Sequence, residues 1–316
     1  MFWTSWFLAL LAVILAWPVP LLLARAGWTA RSPFTAMVLW QAIALAGGLS
    51  MIGAMLAFGL VPLGGNLISG LKNLLGILLG SSTGERLEFW HAFALSAAAL
   101  LLAHLLFTLL LTYARIRKQR RRHRELLDLL SSPATGRPGT VVINHDAPVA
   151  YCLPGGSRSV TVLSDGLMNM LEPDELRAVL IHENAHLAQR HHLLLWAFAA
   201  WRYALPWLPT SRLAQRSVNS LIEMLADDVA LESVDRSTLV KAIALVASGS
   251  ALLPASELVN GGADRIDTPE TTSARLGRLL KPAPVLSRNA QLLVLAGSVL
   301  LLAVPTALLI VPGLLG

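Results

Sequence analysis

The 316-residue chain is 55% hydrophobic, carries a formal charge of +6 and has a mean hydropathy of +0.61. A composition this apolar excludes a soluble globular protein. Its one cysteine, Cys152, excludes internal disulfides and cysteine-based metal sites, and suits a reducing compartment.

Four runs, at 2–24, 34–63, 87–113 and 290–312, each supply the ~20 mostly apolar residues that cross a bilayer. The first has neither a basic start nor a small-residue cleavage site, so it is expected to be retained as a membrane helix. Basic residues then set the orientation. Arg25 and Arg31 separate the first two spans, the run 115–124 follows the third, and Lys281 and Arg288 precede the fourth. The 64–86 loop holds only Lys72 and Arg86. The expected protein is multi-pass in the cell membrane, with both termini and the 64–86 loop outside and a domain at 114–288 in the cytoplasm. Most of the positive charge is therefore topological. Beside a span, the 115–124 cluster is expected to meet membrane lipids with anionic headgroups, and no direct nucleic-acid contact is expected. His91 and His104 in the third span are not stacked as a ligand pair and read as packed, hydrogen-bonded side chains.

The polar stretch 131–136 reads as a turn that opens the soluble part. Three β-patterned runs follow at 140–144, 149–153 and 159–163, predicting a small sheet with one edge able to bind an extended peptide by strand addition. Cys152 lies in the second run and reads as inert packing. Next comes a helix announced by Pro173 in its first turn and by Asp174 and Glu175 at its positive end. It carries His182-Glu183-Asn184-Ala185-His186, an HExxH pattern. Positions i and i+4 share a helix face, so His182 and His186 can converge on one zinc ion, with Glu183 placed to take a proton from a water. The alternative is a buried helix that happens to hold two histidines.

A third ligand is needed, and Glu223 and Asp227 are again spaced i and i+4 in an apolar segment. Glu223 is the expected ligand and Asp227 the group that holds the far nitrogen of a ligand histidine. Two carboxylates among Leu, Ile and Met are costly without a cation to meet them. Asp228 reads as plain solvated acid. Residues 192–207, interrupted by Arg202 and Pro206, are expected to form an interfacial or re-entrant helix, with a core helix as the alternative. Helices at 211–232 and 237–248 and a Gly- and Asp-rich loop at 255–273 follow.

The HExxH pattern followed by Glu223-x-x-x-Asp227 looks like the gluzincin pattern of membrane-integrated zinc peptidases. More narrowly, Ser164-Asp165-Gly166-Leu167, Pro173-Asp174-Glu175-Leu176 and Leu205-Pro206-Trp207-Leu208-Pro209 resemble the BlaR/MecR sensor-transducer family over about residues 140–250. The likeness shades into the HtpX and CAAX-type peptidases, which share the zinc pattern and a late arginine segment like 274–279. Two departures stand out. His191-His192 replaces an acidic residue frequent in BlaR-type relatives, and the chain stops at Gly316 without a penicillin-binding domain. The resemblance implies a mainly α membrane protein whose α+β domain is a zinc endopeptidase. Zinc would sit on His182, His186 and Glu223, with Glu183 as base and Asp227 behind a histidine. It also implies a regulatory role, with a cytoplasmic, winged-helix repressor as protein substrate. Membrane-protein quality control of the HtpX kind is the alternative, and a non-enzymatic signalling scaffold a third. The oxyanion-stabilising residue is expected among His191, His192, Arg202 and Tyr203, and no covalent capture of β-lactams is expected.

Overall fold

A computed structural model describes residues 1–80, 87–134, 138–155, 159–250 and 268–314. Among them, four helices are long and apolar enough to cross a membrane: Phe2–Ala24, Pro33–Gly59, Phe89–Leu130 and Arg288–Val311. The first is broken into α1 (Phe2–Ala16) and α2 (Pro18–Ala24) at Trp17. Pro18 and Pro20 cause the break, because neither can donate the helical hydrogen bond. α3 (Pro33–Gly59) is the central span and is rich in buried Ala and Gly. Small residues let helices approach: an added Cβ at Gly53 would lie 2.9 Å from Leu309 of the last span. The 64–86 segment, expected as a loop, contains α4 (Leu67–Leu78), started by an Asn66/Ser69 capping box. Its residues 81–86 lie outside the described residues.

α5 (Phe89–Leu130) does not stop at the expected span end, residue 113. It continues through the basic cluster as one 42-residue helix, about 63 Å at the standard rise. Its C-terminal end docks on a four-stranded sheet: β1 (Ser131–Pro133), β2 (Thr140–Ile143), β3 (Ala150–Leu153) and β4 (Val160–Ser164). The strand order is β1-β2-β4-β3, with β2 and β4 parallel and the other pairs antiparallel. The 131–136 turn is thus corrected in part. Residues 131–133 pair with 141–143 as an edge strand, where Pro133 is tolerated, and 135–137 fall outside the described residues.

Ser164 ends β4 and caps α6 (Asp165–Met170), accepting from the Leu167 N–H at 3.1 Å. Gly166 is required there, since a side chain would collide with the Asp146 carbonyl. α7 (Pro173–Ala188) carries the HExxH motif, and α8 (His191–Ala204) and α9 (Pro209–Leu231) form a hairpin. α10 (Arg236–Ser250), α11 (Pro269–Leu280) and α12 (Arg288–Leu314) complete the chain. Of the expected 255–273 loop, residues 255–267 lie outside the described residues, and from Pro269 the chain is already helical behind a Thr268 cap.

The α8–α9 hairpin packs against the spans about halfway along them, at Ala16 and His104. His104 in α5 bonds the Ala204 carbonyl through Nε2 at 3.0 Å. The Thr210 hydroxyl donates toward the carbonyls of Leu15 and Ala16, at 2.8 and 2.6 Å. Pro20 has no N–H to give the Ala16 carbonyl, so Thr210 supplies the donor that an apolar setting demands. Trp40 and Ile43 of α3 share one core with Phe198, Val218 and Ile222 of the hairpin. α9, the helix of Glu223, is thereby built onto the spans.

Candidate metal centre

α7 begins with Pro173 at its first position and a capping box in which Glu175 accepts from the Glu172 N–H at 2.9 Å. Lys241 of α10 pins the same carboxylate at 2.6 Å. Ala178 and Leu176 bury the helix against α10 and the sheet. That fixes which face looks toward α9, and it is the face of His182 and His186. At its end the backbone turns through Arg190, in the left-handed region at φ 52°, straight into α8.

The three expected ligands come together. His182 Nε2 lies 3.2 Å from His186 Nε2 and 3.2 Å from Glu223 Oε2, and His186 Nε2 lies 3.5 Å from Glu223 Oε1. One donor atom from each residue lies within 4.8 Å of the others. For bonds of about 2.0–2.1 Å in a tetrahedron, neighbouring ligand atoms stand roughly 3.3 Å apart, so the set fits zinc in spacing and chemistry. Asp227 Oδ1 lies 3.0 Å from His182 Nδ1, on the other side of that ring.

Arg275 on α11 is what the sequence reading left without a role. Its Nε and Nη2 grip Asp227 at 2.9 and 2.7 Å, and its Nη1 donates to Glu223 Oε2 at 3.0 Å. It is 4% exposed. Such a fork-to-carboxylate pair is among the stronger polar contacts and leaves neither buried acid without a cation. The available signal was the expectation that two carboxylates in apolar surroundings demand a cation, together with a late arginine at helical spacing. Asp228 is corrected: it is half-buried and pairs with Arg278 at 2.7 Å.

Burial pushes the pKa of Glu223 up, but the His182 hydrogen bond and the charges of His186 and Arg275 outweigh it and hold the carboxyl well below the usual range. The balance at Asp227 is the same, set by His182 and Arg275. Burial and Arg275 push His182 down, but its hydrogen bonds to Asp227 and Glu223 lift it to about 10. In the metal-free centre His182 is therefore an imidazolium with one carboxylate on each nitrogen. Zinc would replace its Nε2 proton. Burial, with His182 close by, lowers His186 to about 4, so its Nε2 keeps a lone pair.

His191 does not face a reacting carbonyl. It is 1% exposed, and its Nδ1 stands 3.0 Å from Nδ1 of His186, while its Nε2 stands 2.8 Å from Gln189 Oε1. One proton arrangement satisfies all of this: His186 Nδ1–H donates to His191, and His191 Nε2–H donates to Gln189. Arg202 and Tyr203 are also removed from the oxyanion set. They sit roughly 16 Å further along α8 by helix rise. Arg202 is bound to the Pro206 carbonyl and Tyr203 is 67% exposed.

Glu183 is the next residue round α7 from His182, and α7 packs on the sheet through Leu176, Val179 and Leu180. Burial lifts the Cys152 thiol of β3 to about 12, and the nearby Glu183 charge adds to that rise. Cys152 contacts Thr161 at 3.3 Å and is inert packing, as expected. The Glu183 charge is thus felt at β3, an edge strand of the sheet.

Residues 113–226 match the family model of Peptidase family M48. The match takes in the HExxH helix and Glu223 and supports a metallopeptidase; peptidases of that family are in general zinc enzymes. No curated protein matches the chain.

Proposed function

We propose that this chain is an integral-membrane zinc endopeptidase of the HExxH…ExxxD type, with its centre on the cytoplasmic side. The observation that carries the proposal is the convergence of His182, His186 and Glu223 at 3.2–3.5 Å, beside Glu183 on the same helix. Bound zinc would supply Lewis acidity at the scissile carbonyl. The chain does the rest. Asp227 and His191 hold the two imidazoles so that both Nε2 lone pairs face one point. A Glu183 Oε accepts the proton of the attacking water and returns it to the leaving amine. β3, next to Glu183, can hold the substrate main chain as an added strand.

The role we infer is regulatory cleavage of a cytoplasmic transcriptional repressor. α5 favours it, being one helix from the 64–86 segment to the sheet. His123 bonds the Tyr151 hydroxyl at 2.6 Å, and Arg124 the Pro154 carbonyl at 2.9 Å, so motion of the span reaches the edge strand beside the base. Quality control of membrane proteins is the second reading, favoured by the hairpin packed against the spans. Comparing the membrane and cytoplasmic proteomes with and without the active protein separates them: one cleaved repressor supports the first, many cleaved membrane proteins the second. Chelation should stop cleavage of casein by the purified protein, and zinc should restore it; cleavage that survives chelation rejects both. For orientation, a cysteine at exposed Lys72 should react with an impermeant thiol reagent in intact cells, and one at exposed Asp128 should not.

A further inference from the structure

α4 (Leu67–Leu78) has three sides of different character. At about 100° per residue, Leu67, Gly70, Leu74 and Ile77 share roughly 80° of its circumference. Ile68, Leu71, Leu75 and Leu78, with the cap residue Leu79, share roughly the next 100°, and Ser69, Lys72 and Asn73 lie on what remains. The first side is turned to the protein. Leu67 packs on a core of Leu8, Ala57 and Leu309, from the first, second and last spans. Gly70 is buried so closely that an added Cβ would lie 3.0 Å from Leu60. The second side is wholly apolar, yet its exposure runs from 47% at Ile68 to 73% at Leu78.

The level of the helix decides what lies against that side. Leu67 and Met1 touch the same core, so α4 stands where the first span begins. His91 Nδ1 lies 3.0 Å from the Phe58 carbonyl, so the start of α5 is level with the end of α3, which α4 follows. At both places aromatic rings are exposed: Phe2, Trp3 and Trp6 on α1, and Phe89, Trp90 and Phe93 on α5. Such rings gather at the border between acyl chains and headgroups. The 12 residues of α4 make about 18 Å, too short to cross a bilayer. Its open apolar side runs the whole length of the helix, with Lys72 and Asn73 midway along the polar side, so neither end is built to dip into hydrocarbon. Helices of this pattern at this level lie in the plane of the interface.

We propose that α4 is a phospholipid-binding interfacial helix. Ile68, Leu71, Leu75, Leu78 and Leu79 rest on the acyl chains of the leaflet at the N-terminal end of the first span, and Lys72 reaches the headgroup phosphates beside them. Because Leu67 and Gly70 fix α4 to the ends of the spans, that leaflet is held against the central helix α3.

The test uses the full-length protein with Cys152→Ala in phosphatidylcholine–phosphatidylglycerol vesicles. A nitroxide is attached to one introduced cysteine at a time, at Leu71, Leu75, Leu78, Lys72 or Asn73. Power-saturation spectra read collisions with oxygen, which concentrates among acyl chains, and with a water-soluble nickel chelate. The oxygen-to-nickel ratio should be severalfold higher at Leu71, Leu75 and Leu78 than at Asn73. The Asn73 change removes a 2.7 Å hydrogen bond to the Leu63 carbonyl, so Lys72 supplies a second aqueous reference. Labels at Leu71 and Leu78 should report one depth, whereas a helix inserted along the membrane normal would separate them by about 10 Å. Such a separation, or nickel-dominated collisions at the three leucines, overturns the proposal. Low collision with both reagents there means a protein cover and overturns it too; dipolar broadening lost on dilution with unlabelled protein would identify that cover as a second copy of the chain.

Discussion

His182 and His186 stand one turn apart on the same helix, yet their surroundings differ in kind. Behind His182 is a charged brace of Asp227, Arg275 and Glu223, contributed by α9 and α11 and almost fully buried. Behind His186 is a neutral relay, His191 and then Gln189, contributed by the turn into α8. The first brace ties the centre to helices distant in sequence; the second is local. The charged brace therefore secures the fold and would secure a metal with it, and the neutral one sets the orientation of a single ring.

Breaking the charged brace should have the largest effect. Arg275→Met leaves two buried carboxylates sharing only the His182 ring between them, and removing one partner of such a network costs about 3–5 kcal/mol. Thermal unfolding of the metal-free protein should show a large loss, partly recovered by zinc. An unchanged unfolding temperature would mean that Arg275 is not what neutralises the pair. Asp227→Asn keeps the shape and should weaken zinc binding by about 10–100-fold, as outer-shell losses do.

On the neutral side, His191→Ala should weaken zinc about tenfold, at the low end of outer-shell effects, with little loss of stability. His191→Asn should recover part of this if its side-chain oxygen can accept from His186 Nδ1–H. Gln189→Ala should do least, about two- to threefold, the worth of a partly exposed neutral hydrogen bond. Equal losses for His191→Ala and Asp227→Asn in a zinc titration would erase the contrast.

The two histidines should also differ in pH response. His182 keeps its proton up to about pH 10 in the metal-free centre, so zinc must displace it throughout the neutral range. His186, lowered to about 4, is already deprotonated there. A proton competes with the metal, so affinity rises with pH. The apparent zinc affinity should climb about tenfold per pH unit from 6 to 9, the slope of one proton, as competing buffers would read it. A slope of two would mean that both rings are protonated in the metal-free state.

What sequence reasoning reached follows the same division. The i, i+4 pairs His182/His186 and Glu223/Asp227 were legible because helix geometry alone sets each pair on one face. Their meeting across α7 and α9 was inferable because buried acids need a cation. Arg275 lies 48 residues from Asp227, and nothing in local spacing joins them. His191 was noticed only as one of four candidates for the oxyanion, since its direction depends on the left-handed turn at Arg190. In the spans, apolar length located each helix but not its interior events. The break at Trp17 depends on Thr210 answering a carbonyl that Pro20 cannot, and the straight run of α5 into the basic cluster depends on the sheet it docks against.

The central claim is that this constellation is a working zinc peptidase in which Glu183 is the base and not a ligand. Glu183→Gln tests it most directly, by metal analysis and casein cleavage on the same purified sample. About one zinc per chain with cleavage abolished is the predicted result, while His186→Ala loses both. Loss of zinc from Glu183→Gln, or cleavage at the wild-type rate, would contradict the account.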